Sequence, residues 1–352
     1  MHIGLVIYGS LDTLSGGYFY DRKLVAYLRG QGDTVEIISL PWRNYTAHLS
    51  DNLRFRLPPD FDLLIQDELN HPSLLSANAR LRSYPVISLV HHLRCSEPRF
   101  AWQNRFYRLV EKRYLQSVDG FLFNSQTTKS VVSSILQSRL GPNLVAYPPT
   151  DRFGYPMTEA EVVARARETG PLRIVFLGNL IRRKGLHTLL KAVSFQPSAF
   201  QLDVVGSLTV EPGYARKMQE KAQAGGLGAR VRFHGPLDQE ALAERLRAAQ
   251  VLVVPSAYEG FGIVYLEGMA FGVPAIGTTA GAASEIIQDG ETGYLVPPDA
   301  AVQLAERLAM LAEDRALLAD MSVRALERYR QQPAWEETAG NIRRFLQGMI
   351  SV

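Results

Sequence analysis

The chain is poor in cysteine and contains no long apolar run, and each absence excludes a class of protein. Cys95 is the only cysteine among 352 residues, so neither an intramolecular disulfide nor a clustered-cysteine metal site can form. No stretch approaches the roughly 18 apolar residues of a membrane span. The first residues also lack the basic segment and cleavage site of a signal peptide. These absences predict a cytoplasmic protein.

The net charge of the chain is also small. The 38 basic and 35 acidic side chains leave a net charge of +3, and the whole excess falls in residues 1–170, which hold 19 basic and 16 acidic side chains. An excess this small does not indicate a nucleic-acid partner. Hydrophobic residues make up 46% of the chain and charged residues 21%, which is typical of a globular protein of about two domains.

Short apolar runs alternate with helical segments along the chain, a pattern typical of βαβ units and of parallel sheets covered on both faces. The pattern restarts after a polar, turn-rich stretch between Pro148 and Pro171, so we predict two Rossmann-like domains, 1–165 and 166–332. The segment 333–350 has helical periodicity and needs an apolar surface to cover. The predicted strands are His2–Tyr8, Thr34–Ser39, Asp62–Ile65, Val86–Val90, Gly120–Phe123, Leu144–Ala146, Arg173–Leu177, Gln201–Val205, Arg230–Phe233, Val251–Pro255, Pro274–Gly277 and Gly293–Val296.

The most informative segment follows the apolar run at 251–254. A loop there carries Glu259, Gly260, Phe261 and Gly262, and a helix is predicted to begin near Ile263. The glycines allow close backbone approach to a ligand, and a helix start presents free N–H groups to phosphate or sugar oxygens. Glu267 lies eight positions after Glu259, and the two carboxylates could bind vicinal hydroxyls. The simpler interpretation is a capping acid followed by a solvated glutamate.

Two further loops follow predicted strands. Gly178 and Asn179 lead into Arg182, Arg183 and Lys184, and cations converging at a strand end could bind a diphosphate, although an ordinary solvated turn would look the same.

In the N-terminal half, Gly16 and Gly17 precede a predicted helix at 18–29. His91 and His92 follow the strand at 86–90, where a histidine is more often structural than catalytic.

Several motifs at fixed spacing resemble one family. The segment E-G-F-G-I-V-x-L-E at 259–267, G-x-P at 272–274 and D-G-x-T-G-x-L-V-P at 289–297 resemble the signature of retaining glycosyltransferase family 4, the group 1 glycosyltransferases. The resemblance implies a GT-B fold, in which two Rossmann-like domains with parallel sheets face each other across a cleft. It also implies that the first domain binds the acceptor and the second the nucleotide sugar, with the C-terminal helix at 333–352 packing back on the first.

The resemblance also assigns roles to residues. Lys184 matches the family lysine by spacing, but Asn179 occupies the position of the family arginine, so Arg182 or Arg183 would replace it, and we favour Arg183. The expected catalytic residues are Lys184, Arg183, Glu259 and His91. The expected donor-binding residues are Gly16, Gly17, Gly178, Asn179, Arg182, Gly260, Phe261, Gly262, Ile263, Val264 and Glu267.

The activity implied is transfer of a sugar from a UDP- or GDP-sugar to a hydroxyl of a glycan, lipid-linked or small-molecule acceptor, with retention of configuration. The cations of the basic loop could replace a metal, and the resemblance implies that no metal or other cofactor is needed. The alternatives are a nucleotide-sugar epimerase or hydrolase of the same fold, or a non-catalytic nucleotide-sugar-binding relative. A nicotinamide dehydrogenase is disfavoured, because GSLDTLSGG at 9–17 is not G-x-G-x-x-G.

The segment 99–113 carries five basic side chains and one acidic one, with four aromatic residues among them. The pattern favours an amphipathic helix with a solvated basic face. An alternative is a surface for anionic lipid or an anionic acceptor, which would place the protein peripherally at the inner face of the membrane.

Overall fold

The computed structural model describes residues 1–13, 15–80, 82–137, 140–149, 151–154, 156–196 and 199–350. The chain divides into two compact units. Unit 1 comprises Met1–Pro149 and Pro333–Val352, and unit 2 comprises Thr150–Gln332. Within the described residues, no helix combines the length and apolar character needed to cross a bilayer.

Unit 1 is built on a parallel sheet of six strands within the described residues. The strands lie in the order β2-β1-β3-β4-β5-β6, so the chain reverses direction across the sheet between β1 and β3. The elements are β1 (His2–Tyr8), α1 (Gly16–Gly30), β2 (Thr34–Leu40), α2 (Tyr45–Asp51), β3 (Leu63–Asp67), α3 (His71–Asn78), β4 (Val86–Val90), α4 (Ala101–Leu115), β5 (Gly120–Phe123), α5 (Gln126–Leu136), β6 (Asn143–Val145) and, at the end of the chain, α13 (Trp335–Ile350).

Unit 2 repeats the architecture with a second parallel sheet, in the order β12-β11-β10-β7-β8-β9. Its direction reverses between β7 and β10, which are hydrogen-bonded neighbours. The elements are α6 (Glu159–Arg167), β7 (Leu172–Leu177), α7 (Leu186–Val193), β8 (Phe200–Val205), α8 (Pro212–Ala224), β9 (Val231–Gly235), α9 (Gln239–Ala248), β10 (Val251–Val253), α10 (Ile263–Met269), β11 (Ala275–Thr278), β12 (Gly293–Val296), α11 (Ala301–Glu313) and α12 (Arg315–Arg330). The predicted fold class, two Rossmann-like domains with parallel sheets, is confirmed.

The C-terminal helix α13 packs on unit 1. Ile342 and Leu346 are fully buried in the same core as strands β1 and β3 and helix α1. The Trp335 indole N–H donates to the Lys23 carbonyl oxygen at 3.1 Å, and Arg343 makes two hydrogen bonds to Asp33 at 2.7 and 3.1 Å. The apolar face of this helix therefore covers the core of unit 1. The last two residues of the segment 333–352 lie outside the described residues.

The boundary between the units differs from the predicted one at residue 165. Helix α6 belongs to unit 2, where Val162 is fully buried and the Arg165 guanidinium donates to the carbonyl oxygens of Phe271 and Gly272, both at 2.7 Å. The sequence-based boundary would cut this helix away from the surface on which it packs. The helix has few apolar side chains, so its sequence offered little sign that it packs on unit 2. A buried arginine supplies part of that contact.

Candidate active site

The basic loop and the glutamate loop meet at the point in unit 2 where strand order reverses. Lys184 follows β7 and Glu259 follows β10, and these two strands are neighbours in the sheet. Loops at the carboxyl ends of adjacent parallel strands lie side by side, and open α/β sheets bind ligands at this reversal point. The strand order therefore brings together two motifs that lie 75 residues apart in sequence.

The basic loop is held against the glutamate loop by its backbone. Residues Arg182–Lys184 form a 3₁₀ turn that ends at Gly185, whose φ is +74°. A Cβ at Gly185 would lie 2.0 Å from the Pro255 carbonyl oxygen, so only glycine permits this approach. The Ala257 N–H donates to the Arg183 carbonyl oxygen at 2.7 Å, which joins the two loops directly.

The charged groups form a compact cluster around Glu259. Lys184 Nζ lies 2.5 Å from Glu259 Oε1, and the Ser256 hydroxyl donates to the same oxygen at 2.5 Å. Arg183 lies 3.7 Å from Glu259 Oε2 and donates to the Tyr258 carbonyl oxygen at 2.7 Å. The side chains of Lys184 and Arg183 remain 13% and 23% exposed, so both cations can still be reached by a ligand.

Burial and charge oppose each other in this cluster. Burial disfavours ionisation of Glu259, but the charges of Lys184 and Arg183 outweigh it and lower its pKa to about 2. Burial lowers the pKa of Lys184, Glu259 opposes the shift, and Arg183 adds to it. With Glu259 ionised, two cations face this carboxylate.

The backbone of Glu259 is fixed by a second close approach. Gly281 has a φ of +81°, and a Cβ there would lie 2.1 Å from the Glu259 carbonyl oxygen. The Ala282 N–H donates to that oxygen at 2.9 Å. Glu259 is therefore positioned by its main chain as well as by its three side-chain partners.

The remaining predicted residues of the glutamate loop surround the start of α10. Gly262 precedes the helix with a φ of +96°, and the Tyr265 hydroxyl anchors the first turn by donating to the Val254 carbonyl oxygen at 2.8 Å. Gly260, Ile263 and Val264 are partly exposed, whereas Phe261 is buried.

Gly178 lies beside the side chain of Lys184. Its φ of +148° is a backbone conformation that L side chains rarely adopt. Asn179 is partly exposed beside it.

Two predicted donor-binding residues have other partners. Glu267 forms an ion pair with Arg152, and burial raises the pKa of this carboxyl while Arg152 and Lys184 oppose the shift. Arg182 is exposed, and its backbone N–H donates to a Glu211 carboxylate oxygen at 3.1 Å. Of the two arginines considered as the replacement for Asn179, only Arg183 reaches the cluster of Lys184 and Glu259 among the described contacts.

Three of the predicted site residues belong to unit 1. Gly16 and Gly17 lie at the start of α1, after β1, and His91 directly follows β4. His91 Nε2 lies 3.0 Å from Asp21 Oδ1, and a Cβ at Gly17 would lie 3.2 Å from the His91 ring. Burial disfavours protonation of His91, but the carboxylates of Asp21 and Asp67 outweigh it and raise its pKa to about 9. These carboxylates therefore favour the protonated imidazole, and the contact with Asp21 orients its ring.

Among the described residues of unit 1, two groups of side chains have the spacing of metal ligands. The ligand atoms of Asp21, Asp67 and His91 all lie within 4.8 Å of one another, and so do those of Glu68, His71 and Glu111. Metal independence of the site therefore stays a prediction. One Asp-x-Asp triplet, 60–62, lies at the amino end of β3, where Asp62 accepts a hydrogen bond from the His2 N–H at 2.7 Å, so it is remote from the carboxyl ends of the strands.

Sequence reasoning missed Ser256, Arg152, Asp21 and Asp67, which are the partners of predicted residues. Ser256 and Asp67 stand at or just after the carboxyl ends of buried strands, a position that could have drawn attention to them. Arg152 and Glu267 lie 115 residues apart, so no local sequence pattern indicates that they form a pair.

The fold matches that of solved glycosyltransferases. Sucrose-phosphate synthase from Thermosynechococcus elongatus aligns with a TM-score of 0.82 at 23% identity, covering 99% of both chains. HepE of Anabaena, solved in complex with UDP-glucose, aligns with a TM-score of 0.76 at 18% identity, covering 99% of this chain and 100% of that one. Together with the two parallel sheets, these alignments define a GT-B fold.

Sequence comparison agrees with the fold. Residues 158–328 match the family described as glycosyl transferases group 1. A D-rhamnosyltransferase, WbpZ of Pseudomonas aeruginosa, is 32% identical over 232 residues, which cover 64% of this chain and 58% of the relative. A GDP-mannose-dependent phosphatidylinositol monomannoside mannosyltransferase of Mycobacterium tuberculosis is 30% identical over 256 residues, covering 68% and 65%. The match thus spans less than two thirds of the length of either relative.

Proposed function

We propose that the protein transfers a sugar from a nucleotide diphosphate sugar to an acceptor hydroxyl, with retention of configuration. The observation that carries this proposal is the cluster of Lys184, Arg183 and Glu259 at the reversal point of the unit 2 sheet. The family match supports the reaction class. A solved relative with UDP-glucose and a GDP-mannose-dependent relative support a UDP- or GDP-sugar as donor.

The cluster suits a leaving diphosphate. In the reaction, the bond between the anomeric carbon and the diphosphate oxygen breaks, and the bond to the acceptor oxygen forms. Negative charge develops on the departing phosphate, and Lys184 and Arg183 stabilise it as fixed cations in a site that is largely shielded from water. The leaving phosphate accepts the proton of the acceptor hydroxyl, so charge and atoms balance without a protein base.

The carboxylates orient the donor. Glu259 is ionised and fixed by its backbone, and it accepts hydrogen bonds from sugar hydroxyls. Glu267, eight residues further along on α10, binds the ribose hydroxyls, and the pairing with Arg152 sets its orientation. In unit 1, the protonated His91 serves as a hydrogen-bond donor to a hydroxyl of the transferred sugar.

The acceptor is a glycan, a lipid-linked sugar or a small molecule, and the relative named for phosphatidylinositol mannoside supports a lipid-linked one. A nucleic acid is not proposed, since the net charge is only +3. No metal or other cofactor is proposed, because Lys184 and Arg183 supply the positive charge that a metal would. Full activity in the presence of EDTA is expected, and loss of activity that Mg²⁺ restores would contradict this part.

Lys184→Ala tests the phosphate role. We expect the rate of nucleoside diphosphate release from UDP-glucose or GDP-mannose, whichever stabilises the wild type in a thermal-shift screen, to fall by roughly 100-fold or more, since a fixed donor to the developing charge is lost. Lys191→Ala is the matched control, because Lys191 is an exposed lysine on α7 in the same unit. Its rate should equal that of the wild type.

Three outcomes would count against the proposal. Near-wild-type turnover of Lys184→Ala would remove the phosphate role of this lysine. Epimerised sugar formed from donor alone would favour the epimerase alternative, and donor binding with no product under any acceptor would favour the non-catalytic one. Retention is read from the anomeric proton coupling of the product by NMR, and an inverted product would refute it.

A further inference from the structure

Helix α4 exposes large apolar side chains on its outward face. Trp102, Phe106 and Leu109 recur at helical spacing and are 69%, 43% and 50% exposed, and Phe100 just before the helix is 73% exposed. Surface helices of globular proteins normally place polar side chains on this face. A row of exposed aromatic residues of this kind marks a contact surface rather than a packing face.

The inward face of α4 already has its partners. Tyr114 and Leu115 are buried in the core of unit 1, and Val110 is buried as well. The Tyr107 ring packs edge-on against Tyr45 at 4.7 Å. The helix is therefore seated in the fold by one side, and the exposed row is not needed to hold it there.

Basic side chains flank the exposed row. Arg105, Arg108 and Arg113 are exposed beside it, Lys112 is partly exposed, and Glu111, the one acidic residue of the helix, is fully buried.

Some of these cations already have partners and others do not. Arg99 pairs with Glu97, and Arg108 donates to the Ser134 carbonyl oxygen at 3.2 Å. Among the described residues, no carboxylate pairs with Arg105, Lys112 or Arg113. The face thus combines aromatic side chains with unneutralised positive charge.

We propose that this face, Phe100 to Arg113, docks on an anionic lipid bilayer. Aromatic and aliphatic side chains would enter the boundary between headgroups and acyl chains, while the cations contact lipid phosphates. A flat bilayer fits a single helix face, and its negative charge complements the basic flank. A second copy of this chain would place like charges opposite each other. The inference extends the proposed function by placing the enzyme at a membrane surface, but it does not depend on that function.

Vesicle co-sedimentation tests the proposal. The full chain is mixed with vesicles of phosphatidylcholine alone and of phosphatidylcholine with phosphatidylglycerol. We expect at least tenfold stronger binding to the anionic vesicles, weakened by added salt. The double variant Trp102→Ser, Phe106→Ser and the double variant Arg105→Glu, Arg113→Glu should each lose most of this binding.

The matched control is Arg216→Glu, Lys217→Glu on α8, which reverses two exposed charges outside the proposed face. It should bind anionic vesicles as the wild type does. Thermal unfolding of every variant checks that the fold is intact, and donor binding in solution should be unchanged, so failure here is distinguishable from failure of the proposed function. Equal binding to both vesicle types would overturn the proposal. Self-association in sedimentation velocity that Trp102→Ser, Phe106→Ser abolishes would instead assign the face to a second copy.

Discussion

Lys184 has a flexible side chain, yet two features of its surroundings keep its ammonium group in one place. Gly185 lets the 3₁₀ turn pack against Pro255, and Glu259 binds the charged end. Gly185 has a positive φ that L side chains rarely adopt. The position and charge of Lys184 are therefore set by its neighbours in the basic loop and the glutamate loop.

Gly185→Ala should disrupt the site, although Gly185 is not one of the proposed catalytic or donor-binding residues. The methyl group would meet the Pro255 carbonyl oxygen, and the positive φ adds strain of about 1–2 kcal/mol, so the basic turn must shift. We expect a lower unfolding temperature together with a raised KM for the nucleotide sugar, measured by calorimetry and by initial rates. Gly213→Ala is the control, because its Cβ would meet nothing within 4 Å. Equal behaviour of the two variants would show that Gly185 does not position the turn.

Residues that stand in motifs of fixed spacing could be predicted from the sequence, whereas the side chains that contact them could not. Glycines, Lys184 and Glu259 stand in motifs whose spacing is visible in the sequence. Ser256 lies within three residues of Glu259, yet its hydrogen bond depends on the turn that follows β10. Asp21 and His91 lie 70 residues apart, and no local pattern joins them.

At the scale of elements, helix α13 shows how a terminal segment contributes to a core. Its apolar positions recur at helical spacing, and the buried ones are Trp335, Ala339, Ile342 and Leu346. The Trp335 ring meets Tyr20 edge-on at 5.3 Å. The periodicity predicted that this helix covers an apolar surface, and the structure identifies that surface as the core containing α1, β1 and β3.

Ile342→Ala should therefore destabilise unit 1. Removing a fully buried isoleucine side chain leaves a cavity and costs about 2–5 kcal/mol of unfolding free energy. Urea unfolding followed by tryptophan fluorescence measures this loss, because all three tryptophans lie in unit 1. Ile350→Ala, at a position 38% exposed in the same helix, should change the unfolding free energy much less. A similar loss for both variants would mean that burial on α13 does not contribute in this way.

Across the molecule, the two units share one architecture but have different charged side chains at the points where strand order reverses. In unit 2, cations outnumber carboxylates around Glu259. In unit 1, the acidic side chains of Asp21, Asp67 and Glu68 surround His91. Burial raises the pKa of Asp67 to about 7 and that of Glu68 to about 8. The same strand arrangement thus presents a basic site in one unit and an acidic, histidine-containing site in the other.

The stability of unit 1 should fall as pH rises from about 4 to 9. Asp67, Glu68 and His91 have folded-state pKa values above those of the unfolded chain, so the folded state binds more protons over this range. The two carboxyl groups contribute from about pH 4 to between 7 and 8, and His91 contributes from about 6.5 to 9. The contribution of His91 is complete below its unfolded pKa of about 6.5 and is lost as pH passes about 9. We expect the unfolding free energy, measured by tryptophan fluorescence in urea, to drop by a few kcal/mol.

Two variants test the origin of this slope. His91→Gln removes the titrating group, and Asp21→Asn removes a charge that raises its pKa. Both should flatten the dependence of stability on pH. An unchanged slope in both variants would show that His91 does not carry the effect.

The amino-acid sequence was enough to predict the strands of both sheets, their parallel arrangement and the loops that hold Lys184 and Glu259, because period, glycine placement and motif spacing are local properties of a chain. Only the folded structure shows which arginine joins Lys184, where unit 2 begins, and which carboxylates surround His91. These facts depend on strand order, which brings distant loops side by side, and on burial, which fixes the charge of each group. Neither strand order nor burial is encoded in any short stretch of residues.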